Sequence, residues 1–541
     1  MKKIFACIFV MLLSFTAFST VKADNFIAKN NDTNVEFETL TEAIEKSKEG
    51  EEIVLLTDVK ENVKINKNII LNLNGKSLTT ADIKNSIITV SITDKGTLII
   101  KNGTITGANA QTDGGALYIT NSSTIKIDNV TFSNNKGING GAIKSYGGHI
   151  IISNGSKFIN NSLQKYGNGG AMQIAATVGN SLVEISNTTF EGNSSMMGGA
   201  ISISSNNPDY TAKLVVKNSK FNKNVASVSG GAIHTSGRYT FYDIENVTFD
   251  GNKAKTYGGA IYATEAARNG ETTAIKNSKF YSNQANFGGA IYLNGTGETP
   301  GNVITRSFIL DEKTEVINNK ATNGGGALYL TSDSSTTTKV FVNGELYNNT
   351  AKNYADDIYS VGKKVELHLT NVKENTYLSD CEHKIDGWYV DEKGNRWNGH
   401  DLDKLNTVLV KELTLTGVQN LKAAHKGVSK VNAIYVDNFG NTLNETITST
   451  GFIGEDYKTS ALDITDYKLI EIKGNENGKY ADEEITVTYV YEFDGGKGQG
   501  EPDLKDPDIP ITGINDGYVT EMFTLLSLIS LVVLKKIKKA Q

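Results

Sequence analysis

A chain of 541 residues has room for several domains, and one with only five Pro and two Cys is neither a disulfide-stapled nor a proline-stiffened protein. The formal charge is −6. Removing the two processed ends proposed below takes away seven Lys against Asp516 and Glu521. That leaves about −11 for residues 24–512, an acidic surface that excludes nucleic acid as a partner.

Residues 1–23 read as a secretory signal peptide. Lys2-Lys3 form its basic start, Ile4 to Phe18 its apolar core, and Val21-Lys22-Ala23 a small-residue cleavage site, so the cut falls between Ala23 and Asp24. Cys7 leaves with that peptide. Cys381 is then the one cysteine of the mature chain, and an internal disulfide is excluded.

Residues 24–112 carry a cap and the first coils of a larger array. Leu40, Ala43 and Ile44 share one face of a short helix, with Thr41 as the expected N-cap. Strand runs follow at Glu52-Ile53-Val54-Leu55-Leu56, Val63-Lys64-Ile65 and Ile69 to Lys76, broken by Asp, Asn and Gly. A helix over the open end would protect a sheet edge. This stretch resembles the start of pectin-lyase-like β-helices in general. Some of those cleave polysaccharides, which the resemblance brings in as an alternative.

Residues 113–370 are the array itself. Gly-Gly-Ala recurs eight times, at Gly114, Gly140, Gly169, Gly198, Gly230, Gly258, Gly288 and Gly325, with starts 26 to 37 residues apart. Phe132, Phe158, Phe190, Phe221, Phe249 and Phe280 each precede the next Gly-Gly by 8 to 11 residues, and Asn follows each Phe closely. Val316 and Leu346 take the Phe place in the last two units. A fixed period of this size means a solenoid. Short alternating runs such as Thr124-Ile125-Lys126-Ile127 are strands, and no unit carries a 3.6-residue apolar stripe. Two or three strands per unit make one coil of a parallel β-helix. Phe and Ile are expected to stack inside it, Asn to bond from turn to turn, and both paired glycines to turn a corner at positive φ. The Gly-Gly-Ala-Ile and Phe-x-x-Asn pairing resembles the repeats of the polymorphic outer-membrane protein family. That resemblance implies a right-handed β-helix of adhesin type, displayed at a cell surface. Nothing in this chain supplies the membrane barrel that follows such passengers, so another means of attachment is expected.

Catalysis on polysaccharides needs flanking carboxylates, or a base with a cation. Residues 24–360 hold three Arg (Arg238, Arg268, Arg306) and two His (His149, His234), with no Asp/His/Arg cluster. The two His are expected as surface or turn residues. Asp356-Asp357 stands where a ninth Gly-Gly-Ala would be, and is read as a capping turn. The chain is therefore not expected to be an enzyme. No cofactor is expected.

Residues 371–430 form a mixed linking segment. Trp388 to Trp397 reads as a small hairpin around Asp391-Glu392-Lys393-Gly394-Asn395, its Trp side chains serving either a core or a glycan. Cys381, Glu382 and His383 lack partners at ligand spacing, so no metal site is expected. In residues 431–493, alternation places Ile485, Val487, Tyr489 and Tyr491 on one face of a strand. Ala433 to Asp437 with its Asn-Phe-Gly-Asn turn, and Tyr467 to Tyr491, resemble the MucBP repeat of Gram-positive surface proteins. That resemblance implies a small antiparallel β-rich domain and brings in mucin as a candidate ligand.

A Gly, Asp and Pro linker occupies residues 494–508. Residues 509–541 then give Ile509-Pro510-Ile511-Thr512-Gly513, an apolar run from Met522 to Leu534, and a basic tail from Lys535 to Lys539. The order resembles a sortase sorting signal of the LPXTG type, with Ile509 in place of Leu. It implies cleavage between Thr512 and Gly513 and a covalent bond from Thr512 to peptidoglycan. A plain membrane anchor is the alternative for this end. The sequence thus describes an extracellular protein of the Gram-positive cell wall, an adhesin for host or environmental glycans or mucin. The alternatives are a β-helix lyase or hydrolase and a passive stalk. The sequence assigns no ligand-binding residues.

Overall fold

The computed structural model describes residues 25–495 apart from 94–95, 265–271, 296–303, 333–335, 363, 371–384, 386 and 400–411. Within these residues one unit runs to Val431 and takes in Thr448–Lys458 and Asn477–Ile485. The other holds Asn432–Ile447, Thr459–Glu476 and the residues from Thr486. The described residues are almost wholly β, with one helix, and the first unit is a parallel β-helix.

The N-terminal end is covered as the sequence suggests, with one correction. The helix Leu40–Lys46 buries Leu40, Ala43 and Ile44, but its N-cap is Thr39, whose extended backbone lets Oγ1 accept from the Glu42 N–H at 3.1 Å. Thr41 lies inside the first turn and gives its N–H to Glu61 at 3.0 Å. Ala28–Asn30 closes the first coil by pairing antiparallel with Glu52–Leu55.

Each coil then turns three faces. Strands that follow Gly-Gly-Ala stack in parallel from Val63–Ile65 to Ile358–Val361. Longer strands such as Ala212–Lys217 form the second face, and the Phe strands, such as Lys220–Asn222, the third. Later coils add a short fourth strand, from Ser194–Met197 to Thr350–Ala351, beyond the two or three expected. In-register pairing sets like on like, and this is where the core comes from. The six Phe rings are fully buried and stack at 4.6 to 5.1 Å, each within 14° of parallel to the next.

Three residues after each Phe, a buried Asn links the coils. Asn224 accepts on Oδ1 from the Asn193 N–H and amide, while its own Nδ2 donates to the Phe190 carbonyl at 3.0 Å. The same triplet runs from Asn135 to Asn349. A polar ladder in a dry interior is tolerable because every member is bonded. It needs an acceptor at its last step, and Asp357 supplies one. Asp357 Oδ1 takes the Asn349 N–H and Nδ2 at 3.3 and 2.8 Å, and Oδ2 takes the Ala423 N–H at 2.7 Å.

The glycine pair divides its labour. Only the first glycine has positive φ, between 62° and 69° in all eight copies. The second is required by crowding: a Cβ on Gly231 would lie 2.0 Å from the Gly259 carbonyl oxygen of the next coil. Ala355-Asp356-Asp357 is the ninth copy, with Ala355 forced to φ 53°. Asp356 can replace glycine there because no like coil follows.

The segment expected as a linker instead caps the far end. Gln419–Ala424 pairs antiparallel with Ile358–Val361, Glu412–Thr416 with Val365–Thr370, and Gly387–Val390 with Gln419–Ala424. Trp388 is buried in the core, and Trp397 is buried against Tyr389 at 4.1 Å, so the core role holds for both. Trp397 is not on a partner strand, and the expected hairpin reduces to a turn between Glu392 and Asn395.

Residues 428–493 hold a four-stranded sheet in the order Thr442–Phe452, Val428–Asp437, Ile485–Phe493, Tyr467–Lys473. Val487, Tyr489 and Tyr491 are buried and Ile485 half-buried, while Thr486 is exposed. Tyr435 stacks on Tyr489 at 5.2 Å. Asp437 Oδ1 accepts from the N–H groups of Phe439 and Asn441, which fixes the Asn-Phe-Gly-Asn turn.

Candidate functional site

The same stacking that fills the interior writes a row on the outside of the Gly-Gly-Ala face. Two residues after each Ala, and after Asp357 in the last coil, one position turned away from the coil interior reads Tyr118, Lys144, Gln173, Ser202, His234, Tyr262, Tyr292, Tyr329 and Tyr359 in unbroken register. Coils lie about 4.8 Å apart, close to the stacking distance of aromatic rings, so the last five positions form a stack. His234 lies 4.7 Å from Tyr262, Tyr262 5.4 Å from Tyr292, and Tyr292 5.0 Å from Tyr329, all within 12° of parallel. Tyr359 follows at 4.6 Å, tilted by 44°.

A second row runs beside it, just before the glycine pairs. Ser229, Tyr257, Phe287, Gly324 and Tyr354 succeed one another there. Tyr257 leans on Tyr292 at 4.7 Å, Phe287 meets Tyr329 edge-on at 5.1 Å, and Tyr354 packs on Tyr359 at 4.8 Å. Gly324 carries no ring because the Tyr354 ring lies across it, 2.1 Å from where a Cβ would stand.

This strip is uncharged and firmly held. Burial, reinforced by the neighbouring tyrosines, pushes the Tyr292 hydroxyl up to about 12, and burial raises Tyr329, Tyr354 and Tyr359 as well. All four stay protonated at physiological pH. Amides flank them: Asn294 Nδ2 donates to the Tyr262 hydroxyl at 2.8 Å, and Asn353 Nδ2 to Asn323 Oδ1 at 2.9 Å. Tyr and Asn together offer large rigid contact area with adaptable hydrogen bonding, the composition of many recognition surfaces.

His234 begins the stack, and it is neither the surface nor the turn residue expected. It is buried in a strand, with Nδ1 2.9 Å from Ser229 Oγ, and burial holds its pKa at about 4. Its folded pKa is thus depressed below the unfolded value of about 6.5. Between those values the unfolded chain binds the extra proton, so stability is lost as pH falls through that window, by about 1.4 kcal/mol per unit for one proton. Thermal melts at pH 7.5 and 5 should show the wild type losing more than His234→Gln. Equal losses would remove His234 as the cause. His149, by contrast, is half-exposed and pairs with Glu184 at 2.5 Å.

The N-terminal part of the same face is polar. Lys144 is buried, bonded to Gln173 and 4.2 Å from the Tyr146 ring centroid, and burial lowers its pKa to about 8. Tyr146 donates to Asp113 at 2.9 Å.

Carboxylates do gather, but at the C-terminal end and in structural use. Arg396 bonds Asp356 and Asp391, Lys422 bonds Asp356 at 2.9 Å, and Asp391 also takes the N–H groups of Asp356 and Trp397. Burial pushes Asp357 up to about 7, yet both its oxygens bind the ladder and the cap. Asp356-Asp357 is therefore a capping turn, as read from the sequence. Among the described residues no group of three or more His, Cys, Asp or Glu could hold a metal ion.

Ala23, Asp24, Cys381 and the sorting residues Ile509, Pro510, Ile511, Thr512 and Gly513 lie outside the described residues. The aromatic strip went unread in the sequence. Its signal was Tyr at the second place after Ala in three late copies, repeated by Tyr359 after Asp356-Asp357.

The β-helix thus carries a neutral aromatic flank, and comparison with known proteins relates parts of the chain to surface proteins. The MucBP domain pattern matches residues 430–492. The Chlamydia polymorphic membrane protein repeat matches residues 218–236, 246–264 and 313–331. Internalin J of Listeria monocytogenes is 31% identical over 139 residues, covering 26% of this chain and 15% of that protein. The probable autotransporter YfaL of Escherichia coli is 30% identical over 174 residues, 31% of this chain and 12% of that protein. The chain thus spans only a small part of the length of either relative. Its features are those of surface adhesins and autotransporters, and these families do not point to an enzyme.

Proposed function

We propose that this protein is an adhesin of a Gram-positive cell wall that holds glycans, mucin glycans among them, on the aromatic flank of its β-helix. The double row of Tyr257, Tyr262, Phe287, Tyr292, Tyr329, Tyr354 and Tyr359 carries the reading. Half-buried and rigid, these rings lose little entropy on contact, and their hydroxyls with the nearby amides suit sugar hydroxyls. The Asp356 and Asp391 carboxylates near this flank are engaged by Arg396 and Lys422, which favours the adhesin over the lyase or hydrolase. The MucBP match supports mucin as a second contact through residues 430–492.

Immobilised mucin tests this directly. The full chain should be retained, and Tyr292→Ala/Tyr329→Ala should weaken retention about tenfold or more. If wild type and variant both pass through mucin and a broad glycan array, the protein is a stalk.

Attachment is proposed at Thr512, by sortase attack on its carbonyl, release of Gly513 and transfer to peptidoglycan. The order of Pro510, Thr512, apolar run and basic tail supports it. Replacing Pro510-Ile511-Thr512 by alanines should move the protein from the wall fraction to membrane or medium. Unchanged wall attachment would refute the sorting signal.

A further inference from the structure

We propose that the C-terminal end of the tyrosine row is a slot for one neutral pyranose ring, a proposal that rests on the glycan-adhesin reading and gives it an address. The row places a ring above a ring until Tyr359, and then the sequence of side chains changes. The next residue in register is Asn420, on the antiparallel cap strand. An amide stands where the stack would continue, and it is shorter than a phenol. The result is an open depression of about 360 Å³ lined by Tyr354, Tyr359, Glu392, Lys393 and Asn420. Small-molecule sites begin near 300 Å³, so this one has the size for a single sugar ring.

The lining chemistry names the class. Earlier tyrosines are stacked between rings and offer solvent their edges and hydroxyls. Tyr359 packs against Tyr329 and Tyr354, at 4.6 and 4.8 Å, and also lines the depression. An aromatic face carries the negative part of the ring quadrupole, and the axial C–H groups of a pyranose are the weakly positive surface that meets it. Around that face stand one acceptor (Glu392), one donor (Lys393), and an amide that is both (Asn420). The two charges are neighbours of opposite sign on one turn, so the site has no net charge with which to select an anionic sugar.

The slot is also preformed. The turn that carries Glu392 and Lys393 is closed by the Glu392–Asn395 bridge. It is rooted at Asp391, which is fully buried and bonded to Arg396 at 2.6 Å. Tyr354 is held down on Gly324. Little ordering remains to be done on binding.

Saturation-transfer NMR on the full chain tests the proposal, with the methyl glycosides of glucose, galactose, N-acetylglucosamine and N-acetylneuraminic acid as probes and mucin retention measured in parallel. At least one neutral glycoside should receive saturation. The signal should vanish in Asn420→Trp, which continues the stack into the slot, and fall several-fold in Tyr359→Ala. An unfolding midpoint equal to that of the wild type reports that Asn420→Trp is folded. A neutral-glycoside signal unchanged in Asn420→Trp overturns the slot while leaving the adhesin reading intact. A signal from the N-acetylneuraminic acid glycoside alone overturns its neutral character. Loss of every glycoside signal together with mucin retention in the wild type overturns both readings.

Discussion

Phe221→Ala should lower the unfolding midpoint and broaden or split the transition, while Lys223→Ala two residues away leaves both unchanged. Phe221 is fully buried between Phe190 at 4.7 Å and Phe249 at 5.1 Å. Truncating such a ring costs about 3–5 kcal/mol, the loss of its stacking contacts included. In a solenoid each coil leans only on its neighbours, so a hole in the middle uncouples two halves. Lys223 is exposed at φ 53°, a backbone that lysine and alanine dislike equally. Lys223→Gly should therefore raise the midpoint slightly, by relief of about 1 kcal/mol or less. Calorimetry on the three variants checks the set. Equal silence of Phe221→Ala and Lys223→Ala would mean that the Phe column does not hold the coil together.

The array was legible in the sequence because a solenoid is nearly one-dimensional. Residues 28 or 31 apart that land on each other must be alike, so Phe190, Phe221 and Phe249 announce their own stack. The same holds for Asn193, Asn224 and Asn252. Where the chemistry is shared by two candidates the reading slips. Thr39 and Thr41 both offer a capping hydroxyl, and only the extended backbone at Thr39 chooses between them. The glycine pair likewise suggests two positive φ angles, whereas Gly231 is needed for the approach of the next coil rather than for its own dihedrals.

Two features were out of reach for a physical reason. Tyr262, Tyr292 and Tyr329 alternate in strands as any outward residue would. Their meaning lies in register across gaps of 30 and 37 residues, which the unequal spacing disguises. The C-terminal cap is built antiparallel and out of order, with residues 387–390 pairing beyond 419–424, so no period announces it. Both Trp were therefore left between two roles, and burial decides for the core.

Gly231→Ala should be strongly damaging, and Ala355→Gly at the last such corner should stabilise. A Cβ on Gly231 would sit 2.0 Å from the Gly259 carbonyl oxygen and 2.7 Å from the backbone N and C of Lys253. All three atoms are backbone, so no side chain can swing aside. Relief requires pushing the coils apart, which strains the hydrogen bond from Gly231 N–H to the Gly258 carbonyl, 3.1 Å long, and the Asn224–Asn252 step beside it, 3.0 Å. Orphaning one buried polar group costs about 1–3 kcal/mol, and this substitution threatens several at once, so a loss above about 4 kcal/mol is expected. At the last coil the crowding is absent. Ala355 occupies the first-glycine place at φ 53°, and glycine there should gain up to about 1 kcal/mol. Denaturant midpoints measure both. A Gly231→Ala protein as stable as wild type would show that the coils have room between them, and the close approach would no longer explain the second glycine. Opposite signs at the two places would show that the second glycine is held by contact with the coil that follows and the first by its own φ.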